Sequence, residues 1–379
     1  MVLNIFLYIL FVLIAYYYAL NIALNISKSV AMSWLFASIK IVIFLVFTLI
    51  LDPKDYLQPD SVKYIRQAGE ISELIASGYS FDEVLNFAYS QVGGWHIGFN
   101  LFLSLIFYLF GNDLVLITAL IFLLSLLSID LFGRIAVRIP NFYILPPNYA
   151  LLLLSPAILL FSVSFIGKDL LVNFLISLFL FLAINLRRDR PILMDQALIV
   201  LILFAMWFLR FYMIVPLVLV LFVTPTFSIT KWPVLKIIYL ISLFFITYLF
   251  IIDNNRLGQK IFDIIAKSDY LSISLGIFRY LLSPNPFNIE SSYSIYTFSS
   301  IANLALIPFS LIGILSVLFK RSMVTNSLLV FTGSTIFIYA LIPELQGIRH
   351  RISVELPLII FSSIGIQLVI MKLHKIRHV

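Results

Sequence analysis

Cysteine is missing from all 379 residues, which excludes disulfides, thiolate metal sites and cysteine nucleophiles. Charge is scarce as well: Asp, Glu, Lys and Arg make up 11% of the chain, where a water-soluble surface needs about 25%. The sequence has no Walker phosphate loop, no zinc-binding helix motif and no dinucleotide-binding glycine fingerprint, so ATP-driven transport and metal-dependent hydrolysis have no footing in it. What fills the space is apolar: 62% of residues are hydrophobic and 16% aromatic, with a mean hydropathy of +1.09. A spanning helix takes roughly 20 apolar residues. The chain therefore reads as an all-α polytopic transmembrane helical bundle filling 1–379 as one domain, with no linker, low-complexity tract or internal repeat. The net charge of +7 then describes short basic loops on one side of a membrane and not a nucleic-acid surface.

Spans are expected near 2–24, 32–51, 114–133, 148–166, 170–186, 195–210, 211–226, 237–252, 299–319, 327–343 and 352–371, about eleven crossings of ~20 residues each. The first lacks the basic start and small-residue cleavage site of a signal peptide and is expected to be retained. Residues 95–110 are apolar, but as a helix they reach only about 24 Å against ~30 Å of hydrocarbon, so an interfacial or re-entrant helix is expected there. Basic residues recur after alternate spans: Lys28 and Lys40, Arg134 and Arg138, Arg187, Arg188 and Arg190, Lys231 and Lys236, Lys320 and Arg321, then Lys372, Lys375 and Arg377. They share one side only if 95–110 does not cross, and the positive-inside bias makes that side cytoplasmic. The expectation is a multi-pass plasma (inner) membrane protein with its N-terminus outside and its C-terminus in the cytoplasm.

This topology places two long hydrophilic loops, about 52–95 and 253–298, on the outer face. Three shorter charged turns join them there: Gly167-Lys168-Asp169, a helix-pair tip at Arg210, and the segment Glu344 to Arg351. In the first loop Val62, Ile65, Ala68, Ile71, Leu74 and Ile75 recur at helical spacing as far as about Ser77, which predicts an amphipathic helix along the membrane surface. Asp60 opens that helix. Its carboxylate is either an N-cap after Pro59 or a general base or cation ligand, with Asp55 and then Asp52 as weaker candidates. Lys168 and Asp169 occupy so short a turn that both charges sit at the membrane edge, either as a snorkelling pair or with Lys168 binding an anionic phosphate while Asp169 orients it or leads the next helix. Arg210 interrupts an apolar stretch and needs a partner, a protein carboxylate or a phosphate matched to its planar guanidinium. Arg279 stands before Ser283-Pro284-Asn285-Pro286-Phe287, among aromatics that either stack on sugar or form an interfacial belt. Arg351 and Glu355 are four apart and can neutralise each other, which leaves Arg349 for a phosphate or acidic sugar and Glu344 as a further polar candidate. His96 stands alone and reads as a packed interfacial residue.

A family resemblance runs through these residues in order. It is carried by Asp60-Ser61-x-x-Tyr64, Trp95-His96 leading to Leu109-Phe110-Gly111-Asn112-Asp113, Ser155-Pro156 with Gly167-Lys168-Asp169, Arg279-Tyr280-x-x-Ser283-Pro284-x-Pro286-Phe287, and Arg349-His350-Arg351 before a last span. The pattern resembles the integral-membrane polysaccharide glycosyltransferases of GT-C type and the bacterial exopolysaccharide or O-antigen repeat-unit polymerases. The resemblance implies an isoprenoid-phosphate or isoprenoid-diphosphate sugar donor used at the outer face during surface polysaccharide assembly, with an isoprenoid-linked sugar or oligosaccharide and membrane lipids as partners. It carries Asp60 over as base or metal ligand. The chain departs from the pattern in having a complete helix ahead of the usual first one and no Asp-x-Asp pair, so a divalent cation is invited as cofactor but not specified. The rival reading, a transporter or flippase of lipid-linked oligosaccharide, calls for polar residues at mid-membrane depth.

Overall fold

The computed structural model describes residues 2–27, 29–92, 97–140, 142, 151–152, 154–185, 193–223, 270–283, 287, 289, 291–319, 322–341 and 348–377. Their regular structure is entirely helical: α1 Val2–Ser27, α2 Val30–Leu45 running into a π-helical turn Val46–Ile50, α3 Pro53–Tyr56, α4 Pro59–Ala76, α5 Phe81–Val92, α6 Ile97–Phe110, α7 Leu114–Ala136, α8 Pro156–Ser164 and α9 Lys168–Asn185. Then follow α10 Leu193–Arg210, α11 Ile214–Val223, α12 Tyr270–Leu282, α13 Thr297–Phe319, α14 Met323–Leu341 and α15 Ile348–Arg377. Among the described residues, eight stretches are long and apolar enough to cross a bilayer: Tyr8–Ser27, Val30–Ile50, Leu114–Ala136, Lys168–Asn185, Met194–Phe222, Tyr293–Phe319, Met323–Leu341 and Arg349–Leu373. The expected span at 237–252 lies outside the described residues, and of the one at 148–166 the nine-residue α8 is its regular helix.

Side-chain contacts fix which helix ends share a face. Tyr8 Oη meets Thr48 Oγ1 at 3.0 Å and the Tyr16 ring lies 5.7 Å from Trp34, so α1 and α2 run antiparallel. Tyr18 donates to Asp130 (3.1 Å) and Ile26 packs at Gly133, so α1 and α7 run parallel. The end of α2 and the start of α7 therefore lie on the same side, and everything between them, including the 14-residue α6, leaves and returns to that side without a net crossing. Arg138 bonds Asn185 across the other ends of α7 and α9. The start of α9 thus belongs to the same face as the start of α7, here called the site face.

The stretch Met194–Phe222 is not one straight helix. Arg210 has φ −156° and ψ 77°, which breaks the helical ladder. Beyond it, the Tyr212 ring stands 5.7 Å from Tyr339 and Met213 Sδ lies 3.5 Å from Tyr339 Oη. Tyr339 is close to the C-terminal end of α14, and α11 packs along α14. The chain must then turn back at Arg210, which leaves that residue at the tip of a helix pair on the site face.

Helix α13 approaches α15 with small residues between them, as lipid-embedded helices require when no hydrophobic drive separates protein from solvent. A Cβ at Gly313 would strike the Phe361 backbone carbonyl and one at Gly365 that of Phe309. Ser310 and Ser362 hydroxyls meet at 2.6 Å in the same interface.

Two local features differ from the sequence expectation. Lys40, counted with Lys28 in a cytoplasmic basic cluster, is instead buried within α2 at 3% exposure, and its Nζ has no hydrogen-bond partner among the described residues. Small neighbours, Ala19, Ala23 and Ala37, leave room for its long stem, which is why the helix passes through it. The first outer loop also holds a second amphipathic helix, α5. Ser80 and Glu83 cap it reciprocally, with Ser80 N donating to Glu83 Oε2 (2.9 Å) and Glu83 N to Ser80 Oγ (3.4 Å).

Candidate functional site

Helix α4 begins with Pro59 at its first position and Gln58 at the N-cap, an arrangement in which the missing proline N–H leaves nothing unsatisfied. Asp60 is consequently not the cap, and its side chain is available for another task. Ser61 Oγ accepts from Ile166 N at 3.0 Å, fastening the first turn of α4 to the turn ahead of α9. That turn is tight because of Gly167, where a Cβ would overlap the buried ring of Phe165. Lys168 and Asp169, the first residues of α9, are drawn inward to 8% and 3% exposure.

Asp169 receives Arg210 from the helix-pair tip in an ion pair. Arg210 is 1% exposed, and its second terminal nitrogen donates to Tyr339 Oη at 3.1 Å. The partner that Arg210 requires is thus a protein carboxylate. Breaking a pair buried like this by removing one member costs about 3–5 kcal/mol, so it forms a fixed floor. Above it, Arg349 in the first turn of α15 pairs with Asp60 of α4, the side chains being 31% and 41% exposed. Pairs so open to solvent hold by only about 0–1 kcal/mol. Of the two bridges, this upper one is the weaker.

Lys168 lies among these groups, within reach of the charges of Arg210, Arg349 and Asp60, yet its ammonium makes no ion pair or hydrogen bond among the described residues. The cluster brings three basic side chains, Lys168, Arg210 and Arg349, against two carboxylates, Asp60 and Asp169, each of which pairs with an arginine. Lys168 is the basic group left without a carboxylate of its own in a largely dehydrated setting, where an entering anion is the stabilising partner. Tyr64, one helical turn beyond Asp60, faces the same charges, and burial pushes its phenol above the usual tyrosine value so that it stays a donor at neutral pH.

The other candidates fall outside this cluster. Arg351 lies beyond the Tyr280 and Tyr339 rings, which stack at 4.9 Å. Its Nε is 3.5 Å from Glu355 Oε2 and its Nη1 donates to Ser283 O at 3.2 Å, as the four-residue spacing suggested. Arg351 and Glu355 line a cavity of about 40 Å³ with Asn303, Ser310 and Ser362. Arg279 is exposed on α12 and pairs with none of these groups. Asp52 caps α3, accepting from Lys54 N at 3.0 Å, and Asp55 is exposed in that helix. Glu344 and His96 lie outside the described residues. Among the described residues no three His, Asp or Glu converge, and Asp60 stands among cations, so this donor set does not fit a divalent metal.

Sequence reasoning had placed Asp60, Lys168, Asp169, Arg210 and Arg349 on one face, and these five meet. It had not singled out the chemistry of Tyr64, Ser61 or Tyr339; the helical i,i+4 relation of Asp60 to Tyr64 was the available signal for the first. No family model matches the chain, and no curated protein or solved structure matches it either.

Proposed function

We propose that the chain is a membrane glycosyltransferase that takes its sugar from an isoprenoid-phosphate or isoprenoid-diphosphate carrier at the extracytoplasmic face, in assembly of a surface polysaccharide. The observation that carries this reading is Lys168: a buried basic side chain at the N-terminus of α9, within reach of Arg349 and without a carboxylate partner among the described residues. The isoprenoid tail stays in the bilayer while the phosphate replaces Asp60 as the partner of Arg349. That exchange frees the Asp60 carboxylate. The acceptor hydroxyl then attacks the anomeric carbon, the bond from that carbon to the phosphate oxygen breaks, the proton passes to Asp60 and the phosphate leaves as an anion held by Lys168 and Arg349. Arg210 and Asp169 hold the floor and touch neither reacting atom.

A second reading, a transporter or flippase of lipid-linked oligosaccharide, is favoured by a different observation. One turn below Asp169 and Tyr339, Asn173 and Thr335 are fully buried, and with Thr332 they carry side-chain polar atoms lacking hydrogen-bond partners among the described residues. Polar groups at that depth suit a translocation path. The two readings separate in proteoliposomes given a labelled isoprenoid-linked sugar and an acceptor glycan. The glycosyltransferase reading expects a new glycosidic bond, lost in Asp60→Asn. Movement of the label across the bilayer with no new bond would overturn it in favour of transport.

A further inference from the structure

Tyr64 carries a group that the reading above leaves unused. Its ring is set edge-on to Phe99, with centroids 5.1 Å apart, and Phe99 is itself fully buried. The ring therefore has little freedom to turn away. Its backbone is held as firmly: Ser61, one turn earlier on α4, is tied to Ile166, and Gln67, one turn later, accepts from Asn100 Nδ2 at 2.9 Å and donates to Gln91 O at 2.9 Å. A phenol on such a support points where the scaffold points it. It sits one helical turn beyond Asp60 on α4, near enough to Arg349, Arg210 and Asp60 for their charges to act on it, while its hydroxyl makes no hydrogen bond among the described residues.

Oriented polar groups left without a partner beside a charged cluster mark where a ligand atom goes. We propose that the Tyr64 hydroxyl donates a hydrogen bond to a phosphoryl oxygen of the lipid ligand, completing with Lys168 and Arg349 a three-sided grip on that phosphate. This rests on the phosphate reading of the cluster and adds to it a neutral donor. The division of labour is physical. Lys168 and Arg349 supply attraction that reaches any anion, whereas a hydrogen bond from a fixed phenol rewards one position of one oxygen. Tyr64 is thus a positioning residue for the phosphate.

The test uses the whole protein in nanodiscs, with farnesyl phosphate as the charged probe and farnesol as the neutral one. Tyr64→Phe keeps the ring on Phe99 and removes only the hydroxyl. The expected result is a loss of farnesyl phosphate affinity of about tenfold to a hundredfold, the size of a hydrogen bond to a charged group, with farnesol binding unchanged. Equal losses for both probes would make the residue a packing element and overturn the proposal. Wild-type phosphate affinity in Tyr64→Phe, with affinity lost in Lys168→Met, would overturn the role of Tyr64 and leave the phosphate reading standing. No effect from either substitution would overturn both.

Discussion

Replacing Asp169 by leucine should destabilise the protein far more than replacing Asp60 by asparagine, although each removes one carboxylate from one ion pair. Asp169 and Arg210 are 3% and 1% exposed. Without Asp169, the guanidinium keeps Tyr339 as acceptor but loses its counter-charge. The expected cost is about 3–5 kcal/mol, a large share of the 5–15 kcal/mol that holds a typical fold together. Arg210→Met alone should cost a comparable amount, because it strands Asp169. The double variant Asp169→Leu/Arg210→Met should recover most of the loss, since an apolar pair of similar volume is often neutral or better in a buried site. At the half-exposed Asp60 and Arg349 pair, the same cycle should give a coupling of no more than about 1 kcal/mol. Unfolding in mixed micelles by added denaturing detergent measures both cycles. Equal couplings, or a coupling below about 1 kcal/mol at Asp169 and Arg210, would refute the division into fixed floor and displaceable lid.

Other expectations follow from the same geometry. Asp60→Asn should leave stability within about 1 kcal/mol while sugar transfer falls about 10²–10⁴-fold in rate, as measured with a labelled lipid-linked sugar. Gly313→Val should loosen α13 from α15, because the new side chain meets the Phe361 backbone, and detergent unfolding should register about 1–3 kcal/mol. The absence of cysteine makes topology simple to test: Ser77→Cys, on the site face, should react with a membrane-impermeant thiol reagent on intact cells, and Val137→Cys, beyond the other end of α7, should not. The reverse pattern would invert the orientation.

Much of the fold was legible because the chain must satisfy a membrane. Apolar runs of spanning length marked helices, and the three- and four-residue spacing from Val62 to Ile75 marked α4. That Arg210 demands a partner was foreseeable, since an arginine inside apolar sequence cannot stay unpaired, but the choice between a phosphate and a protein carboxylate was not. Nor was the identity of that carboxylate, because Asp169 is 41 residues away and nothing local links the two. Asp60 and Arg349 are 289 residues apart, and no pattern in one sequence announces such a contact. Lys40 was misplaced by counting charges without asking whether a long stem can lie among alanines. Helix α5 was missed although Ser80 and Glu83 spell a capping box; the search for spans passed over a short helix. Tyr64 needed the third dimension, since a tyrosine near a membrane is ordinarily part of the aromatic belt.

The central claim is that the buried, unpartnered amine of Lys168 holds a lipid phosphate. Solid-state NMR on the protein in lipid bilayers, with nitrogen-labelled lysine side chains and bound farnesyl phosphate, reads this contact through the dipolar coupling between the ligand phosphorus and the ammonium nitrogen. A coupling to one lysine, abolished by Lys168→Met, is the predicted result. Bound farnesyl phosphate with no coupling to any lysine, or with a coupling that survives Lys168→Met, would contradict the account.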